Sequence, residues 1–572
     1  MKKITLFLIL ALVLVSSVSA ISYYYASWGS DSSPTGNATA PFLTLPVAFN
    51  AASCTDKVVG YGNSTPYNSN SGYTLEDKNC TLVNNITVTS TQGKVKLKGG
   101  VSNYETIGGI TWTNTTYSNS TYGIWRSTYS TGATDWACFY NDTKQAFFIH
   151  TPSTAAGFTA FRNYTMPWPA IYWNGTPDNL WLKLDPGVNP STLSLICTKT
   201  TIITISNSTG IVLSDMELEG GYKSIYSTGN YQLGFINLTE YATLRSLDLR
   251  AGGNYTIYGN NLSMKRDADW WWYLMKGSAL EATAIYLNEN LAESNVINND
   301  ITGFFNGVFV YDTSAGKSRN TRIQNNRISD IYDDAIELED FTNCYDISGN
   351  NVTDVLVAIS LSPANGTQCK SHIHHNILVA TKSDFFDYPS TYYTGEVYKI
   401  LDPSDARNFN LTQNTEIGRI FYSDSSVNSL YNVTHTNSID YVPNSTYGRL
   451  YERTGLASNG NIHDYNLYWP ASIFAKYYNS DTNITDWSTL AEVKASGLNA
   501  TNWDYYSVQA NPLFYDFANG NYRPNATSQA CTMSSTGSYV GALPCSAQSS
   551  GATTFLYSSI NTIIKVLEED EQ

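Results

Sequence analysis

Residues 332–340, YDDAIELED, bring Asp333, Asp334, Glu337, Glu339 and Asp340 into one short stretch, and Asp312 lies about one repeat earlier. Carboxylates this close repel one another, so they persist together only where something offsets the charge. Calcium is one offset: it takes several carboxylate oxygens as ligands, and Asp333, Asp334, Glu337, Glu339 and Asp340 are its candidate set. Acid catalysis is another. A carboxyl whose pKa is raised by its neighbours becomes a general acid beside an ionised partner, the arrangement that cleaves glycosidic bonds. Asp334 and Asp333 would then act as acid and base or nucleophile, assisted by Glu337 or Asp312. A solvated acidic turn is the third reading. Elimination next to a sugar carboxylate needs a base as well. Lys317, Arg319, Arg322 and Lys370 are the nearby cations. None falls on the acidic strand, so hydrolysis is favoured over elimination.

A repeat positions these residues. NVINNDI (295–301), TRIQNNRI (321–328), YDISGNNV (345–352) and HIHHNIL (372–378) recur about every 25 residues, interleaved with GVFVYD (307–312), AIELED (335–340) and AISLSP (358–363). Such a period is the signature of stacked solenoid coils. Alternation points Val308, Val310, Ile336, Leu338, Ile359 and Leu361 inward, and Phe309, Tyr311, Glu337 and Ser360 outward. Asn299, Asn326, Asn350 and Asn376 form a column at a tight turn, where stacked amides bond along the solenoid. His372 and His374 fall on a different strand, near Asp346 and Gln324, around a corner from the acids. Upstream, 209–221 and 240–253 align as a 31-residue coil, with Leu213 over Leu244. Trp270, Trp271 and Trp272 interrupt the coils and, with Phe309 and Tyr311, are candidate platforms for sugar rings.

Both ends carry further motifs. Gly29-Ser30-Asp31 precedes Pro41-Phe42, Thr44-Leu45 and Ala51-Ala52, and near the other end Pro512-Leu513-Phe514 and Asn519-Gly520 precede Gly541-Ala542-Leu543-Pro544. These segments resemble the terminal elements of secreted right-handed parallel β-helix proteins of the pectate-lyase-like group. The resemblance implies an all-β, right-handed, single-stranded parallel β-helix with three strands per coil, an N-terminal cap and a carbohydrate-directed activity. The Asp333-Asp334 pair with Asp312 further resembles the polygalacturonase-type glycosidases, although the Gly-His-Gly and Arg-x-Lys elements of those enzymes are missing. The chain divides into a signal peptide (1–20), cap and first coils (21–100), an inserted β-rich subdomain (101–200), the β-helix (201–470), a closing segment (471–545) and a tail (546–572) with helical spacing. YWNGTPDNLWLKL (172–184) reads as a hairpin within the insertion.

Composition fits an exported protein. Lys2 and Lys3, an apolar run and Ser-Ser-Val-Ser-Ala at 16–20 form a secretory signal, and the run is too short to span a membrane. The sequence holds 21 Asn-X-Ser/Thr sequons, enough to expect glycosylation in a suitable host. All eight cysteines follow the signal, and pairing neighbours gives Cys54–Cys80, Cys138–Cys197, Cys344–Cys369 and Cys531–Cys545. Removing Lys2 and Lys3 takes the net charge from −15 to −17, which argues against nucleic acid and anionic membranes as partners. The expected partner is a polysaccharide, with a protein partner for the tail as a further expectation. No cofactor is required, and calcium is the candidate ion. The leading expectation is a secreted glycoside hydrolase. A non-catalytic surface or glycan-binding protein and a calcium-assisted lyase are the alternatives.

Overall fold

Three rows of short strands, each pairing in parallel with its counterpart in the next coil, build the molecule. The computed structural model describes residues 20–545 apart from 100–111, 150–169, 265–280, 383–394 and shorter stretches. The signal sequence up to residue 19, Trp270, Trp271, Trp272 and the tail 546–572 therefore lie outside the described residues. One row forms a 13-stranded sheet, and the other two belong to a 24-stranded sheet. This is a right-handed parallel β-helix with three strands per coil.

Repetition puts like residues over like. Ile323, Ile347, Ile373 and Leu411 are successive partners in the smaller sheet. Ile301, Ile328, Val352 and Leu378 are successive partners in the larger one, as are Val308, Ile336 and Ile359. All are buried. These columns form one continuous apolar interior, and burial of that surface is the main stabilising term. The first coils are shorter than the sequence alignment suggested. Leu213 pairs with Phe235, not Leu244, and Ile225 pairs with Leu247, which gives a 22-residue coil. The alignment failed because strands from two different rows share the same apolar alternation.

A hydrogen-bonded ladder closes one corner of every coil. The amide Nδ2 of Asn299 donates to Asn326 Oδ1, that of Asn326 to Asn350 and that of Asn350 to Asn376, each at 2.9 Å. The column extends past the four residues read from sequence, to Asn260 before them and Asn414 after them. Each Oδ1 also accepts a backbone N–H from the coil before, and each Nδ2 reaches a backbone carbonyl, as Asn350 does to Ile323 at 2.7 Å. The left-handed bend belongs to the preceding residue: Asn298, Asn325, Gly349 and His375 have φ of 57°, 54°, 66° and 57°. Asn, Gly and a lone His at this place follow from that backbone demand.

At the N-terminal end, Asp31 accepts hydrogen bonds from the backbone of Leu43 and Thr44 and from the Thr44 hydroxyl. It thereby fixes the entry to helix Leu45–Ala51, which packs Leu45, Ala48 and Phe49 inward. Residues 113–198 contribute a five-stranded and a three-stranded sheet outside the solenoid rows, and Ala170–Gly175 and Asp178–Leu184 form the expected antiparallel hairpin. Cys54–Cys80, Cys344–Cys369 and Cys531–Cys545 are disulfides, as fits an oxidising compartment. Strand pairing sets Cys138 opposite Cys197, while their side chains lie outside what is described. Among the described residues no helix is long and apolar enough to cross a membrane.

Candidate active site

The acidic pair sits within a strand and not at a turn. Arg327–Asp340 runs without interruption through two rows, with an irregular register between Ile331 and Asp334. A bulge of this kind leaves a residue unmatched and re-aims its neighbours. It sets Asp333 and Asp334 beside the outward row in which Asp248, Tyr286, Phe309, Glu337, Ser360 and Lys399 are successive partners.

These carboxylates are buried: Asp312 and Asp334 are 0% exposed, Asp333 1% and Glu337 4%. A solvated acidic turn is thereby excluded. Lys399 is the offset. Its Nζ lies 2.7 Å from Asp334 Oδ2 and 3.8 Å from Asp333 Oδ1, and its own side chain is 5% exposed. Asn306, one coil earlier, ties the group together. Its Oδ1 accepts the Asp334 backbone N–H at 3.3 Å, and its Nδ2 donates to Glu337 Oε2 at 3.2 Å. Buried charges are tolerated only when paired and hydrogen-bonded in this way.

Glu396 stands two coils on from Asp334, through Val357. Neither of its oxygens has a hydrogen-bond partner, and Arg419 Nη1 approaches only to 3.9 Å. Burial pushes its carboxyl up to about 8, with Asp334 and Asp333 adding to the rise against Arg419 and Lys399. At neutral pH it is therefore largely a carboxylic acid, able to donate a proton.

The upstream part of the same face is cationic and aromatic. The Asp248 carboxylate meets Lys223 and Arg250 at 2.6 Å and Arg245 at 3.4 Å, which leaves a local charge of +2. Burial works to raise its pKa, but Arg250 and Lys223 hold the Asp248 carboxyl below its ordinary value. Arg245 and Arg250 each lie 5.2 Å from the Tyr286 ring centre, and Lys223 lies 4.3 Å from that of Tyr226. Tyr286 meets Phe309 edge-on at 5.2 Å, and Phe309 meets Tyr311 at 5.9 Å. Three coils separate Arg245 from Glu337, about 14 Å at the usual strand spacing.

Glu339 shares the acidic strand, half-buried, and the Asp340 side chain lies outside what is described. The oxygens of Asp333, Asp334 and Glu337 are hard donors of the kind calcium takes. They are not gathered as a ligand set, however. Among the described residues, only Glu416, His435 and Asp440 bring three such atoms within 4.8 Å of one another. His372 and His374 belong to the smaller sheet, where His374 Nε2 lies 3.2 Å from Asp346 Oδ1 and Gln324 donates to the same carboxylate. They take no part in the acidic group.

Reading the sequence missed Lys399, Glu396, Arg419 and Asn306. The repeat reached Asp334 but stopped short of Lys399, because Tyr398 follows Ile359 by 39 positions whereas Ile359 follows Ile336 by 23. Aligning EVYKI (396–400) under VAISL (357–361) would have recovered it.

Solved structures similar to the chain match at low identity. The complex of XylC with xylose matches with a TM-score of 0.46 at 11% identity, over 81% of this chain and 85% of that one. Pectate lyase Pel9A matches at 0.37 and 12%, over 93% and 98%. A GH136 lacto-N-biosidase from Eubacterium ramulus matches at 0.28 and 10%, over 78% and 64%. No family model and no curated protein matches the sequence.

Proposed function

We propose that the protein cleaves an acidic polysaccharide by β-elimination on this outward face, with Lys399 as base and Glu396 as proton donor. The observation that carries the reading is Lys399 Nζ, set 2.7 Å from Asp334 and 3.8 Å from Asp333. A lysine from a strand two coils away stands beside the acidic pair, and its presence supports elimination over hydrolysis. Lys399 rests as the ammonium that offsets the acidic pair; once it passes a proton to Asp334, 2.7 Å away, its neutral amine takes the proton on the carbon next to a sugar carboxylate. That electron pair forms the C=C bond, the C–O bond to the leaving sugar breaks, and Glu396 protonates the departing oxygen. The ammonium so formed is stabilised by Asp333 and Asp334. Lys223, Arg245 and Arg250 supply the positive charge that lets an acidic glycan approach a chain of net charge −15.

Asp334, Glu337 and Lys399 are buried, so a glycan reaches them only once the site opens. The same burial favours a second reading, a non-catalytic solenoid in which the pair is structural. Incubation with uronic acid-containing polysaccharides decides between them. Elimination yields a product with a new ultraviolet-absorbing double bond, lost in Lys399→Ala. New reducing ends without the double bond would return the site to hydrolysis by Asp333 and Asp334. Binding without any cleavage would establish the non-catalytic reading.

A further inference from the structure

The interior changes character in the last coils. In the smaller sheet the inward column Ile347, Ile373, Leu411 continues as His435 and then His463. In the larger sheet the column Ile328, Val352, Leu378 continues as Glu416, Asp440 and Tyr468. The third column passes from Ile359 to Tyr398 and Phe421. Shared register means that these side chains point where the aliphatic ones did, and His435, Glu416 and Asp440 are all 0% exposed. Placing three ionisable groups in a solenoid core costs several kcal/mol unless they are mutually satisfied.

Their geometry is that of a ligand set. His435 Nε2 lies 3.1 Å from Glu416 Oε2 and 3.6 Å from Asp440 Oδ1, and the three ligand atoms all fall within 4.8 Å of one another. Four ligands about 2.1 Å from a tetrahedral ion stand ~3.4 Å apart, which is the spacing seen around His435. The other Glu416 oxygen accepts the Tyr398 hydroxyl at 2.8 Å, and Asn414 donates to that hydroxyl at 3.3 Å. Such outer hydrogen bonds fix the direction of a metal-binding carboxylate.

We propose that Glu416, His435 and Asp440 form a buried site for a divalent cation of zinc's class, which clamps the two sheets together across the last coils. Two carboxylates and a neutral imidazole carry a charge of −2, which a divalent ion cancels inside the low-dielectric core. One nitrogen with two oxygens suits zinc better than calcium, whose ligands are all oxygen. The site is separate from the outward face and serves stability.

The full-length chain, dialysed after purification, is expected to hold about one zinc. Chelation lowers its Tm and added zinc restores it. Glu416→Gln and His435→Gln lose the ion, Tyr398→Phe weakens binding roughly tenfold, and His374→Gln retains it. Cobalt replacement in the unmutated chain gives a visible absorption band, so the test survives if the variants fail to fold. The proposal is overturned if zinc, manganese and calcium all fail to bind stoichiometrically and Tm ignores the chelator, because a proton shared by the carboxyls then holds the group. It is equally overturned if His374→Gln removes the ion, or if cobalt gives no band.

Discussion

Two groups of buried carboxylates occupy this solenoid a few coils apart, and each is kept inside by different means. Asp333 and Asp334 lie beside the outward row and are offset by Lys399, a cation from another coil. Glu416 and Asp440 replace aliphatic side chains in the inward columns and face an imidazole, with Tyr398 bonded behind them. The first arrangement leaves a lysine and a protonated acid, Glu396, beside a cationic and aromatic surface. The second lies in the interior, where His435 of the smaller sheet meets Glu416 and Asp440 of the larger one. On the functions proposed above, the same residue type serves reactivity in one place and cohesion in the other. What separates them is the row of the coil on which each group falls.

The sharpest way to break this contrast is to remove the cation. Lys399→Ala leaves Asp334 and Asp333 buried without it, and is expected to lower stability by roughly 3–5 kcal/mol in urea unfolding as well as to abolish cleavage. An unchanged midpoint would mean that water or an ion already serves the carboxylates. Asn350→Ala tests cohesion without charge. It removes the oxygen that accepts the Asn326 backbone N–H and one of the two bonds of the Asn326 amide, at about 1–3 kcal/mol for each group left unsatisfied, and unfolding should show the loss with no change in the pH profile of activity.

Glu396→Gln sharpens the comparison through pH. Burial raises the folded carboxyl from 4.5 to about 8, so the folded chain keeps a proton that the unfolded chain releases. Its contribution to stability is full below pH 4.5 and is lost as pH rises to about 8. The variant should flatten that part of the stability curve. In the unmutated chain, activity should fall as Glu396 ionises above about pH 8, and a profile still climbing there would remove it as proton donor. Arg250→Gln should cost under about 1 kcal/mol of stability and weaken acidic-glycan binding several-fold at low salt. Equal loss for neutral glycans would deny the cationic patch its role. His374→Gln, in the half-buried pair with Asp346, should change stability by no more than about 0.5 kcal/mol.

Much of the scaffold was legible. A period near 25 residues, with Ile and Asn at fixed places, implied stacked coils, and Asn299, Asn326, Asn350 and Asn376 marked the corner. The disulfides Cys54–Cys80, Cys344–Cys369 and Cys531–Cys545 are those expected from simply pairing neighbouring cysteines. The candidate site was half legible. Asp333, Asp334 and Glu337 stood out because like charges cluster there, whereas Lys399 did not, since the long interval before Tyr398 hides its register. Glu416, His435 and Asp440 look unremarkable singly. Their spacings of 19 and 5 residues match no ligand motif, because they meet across the interior and not along a strand.

Local rules acting in every coil were therefore set by the sequence alone: alternation of apolar residues, the left-handed residue before each ladder Asn, and an acidic stretch in need of an offset. Tertiary structure decided what met that need. Coils of unequal length bring Lys399 to Asp334 and His435 to Glu416. Contacts between such distant positions depend on how many residues each coil diverts into loops, and a repeat read along the chain does not carry that count.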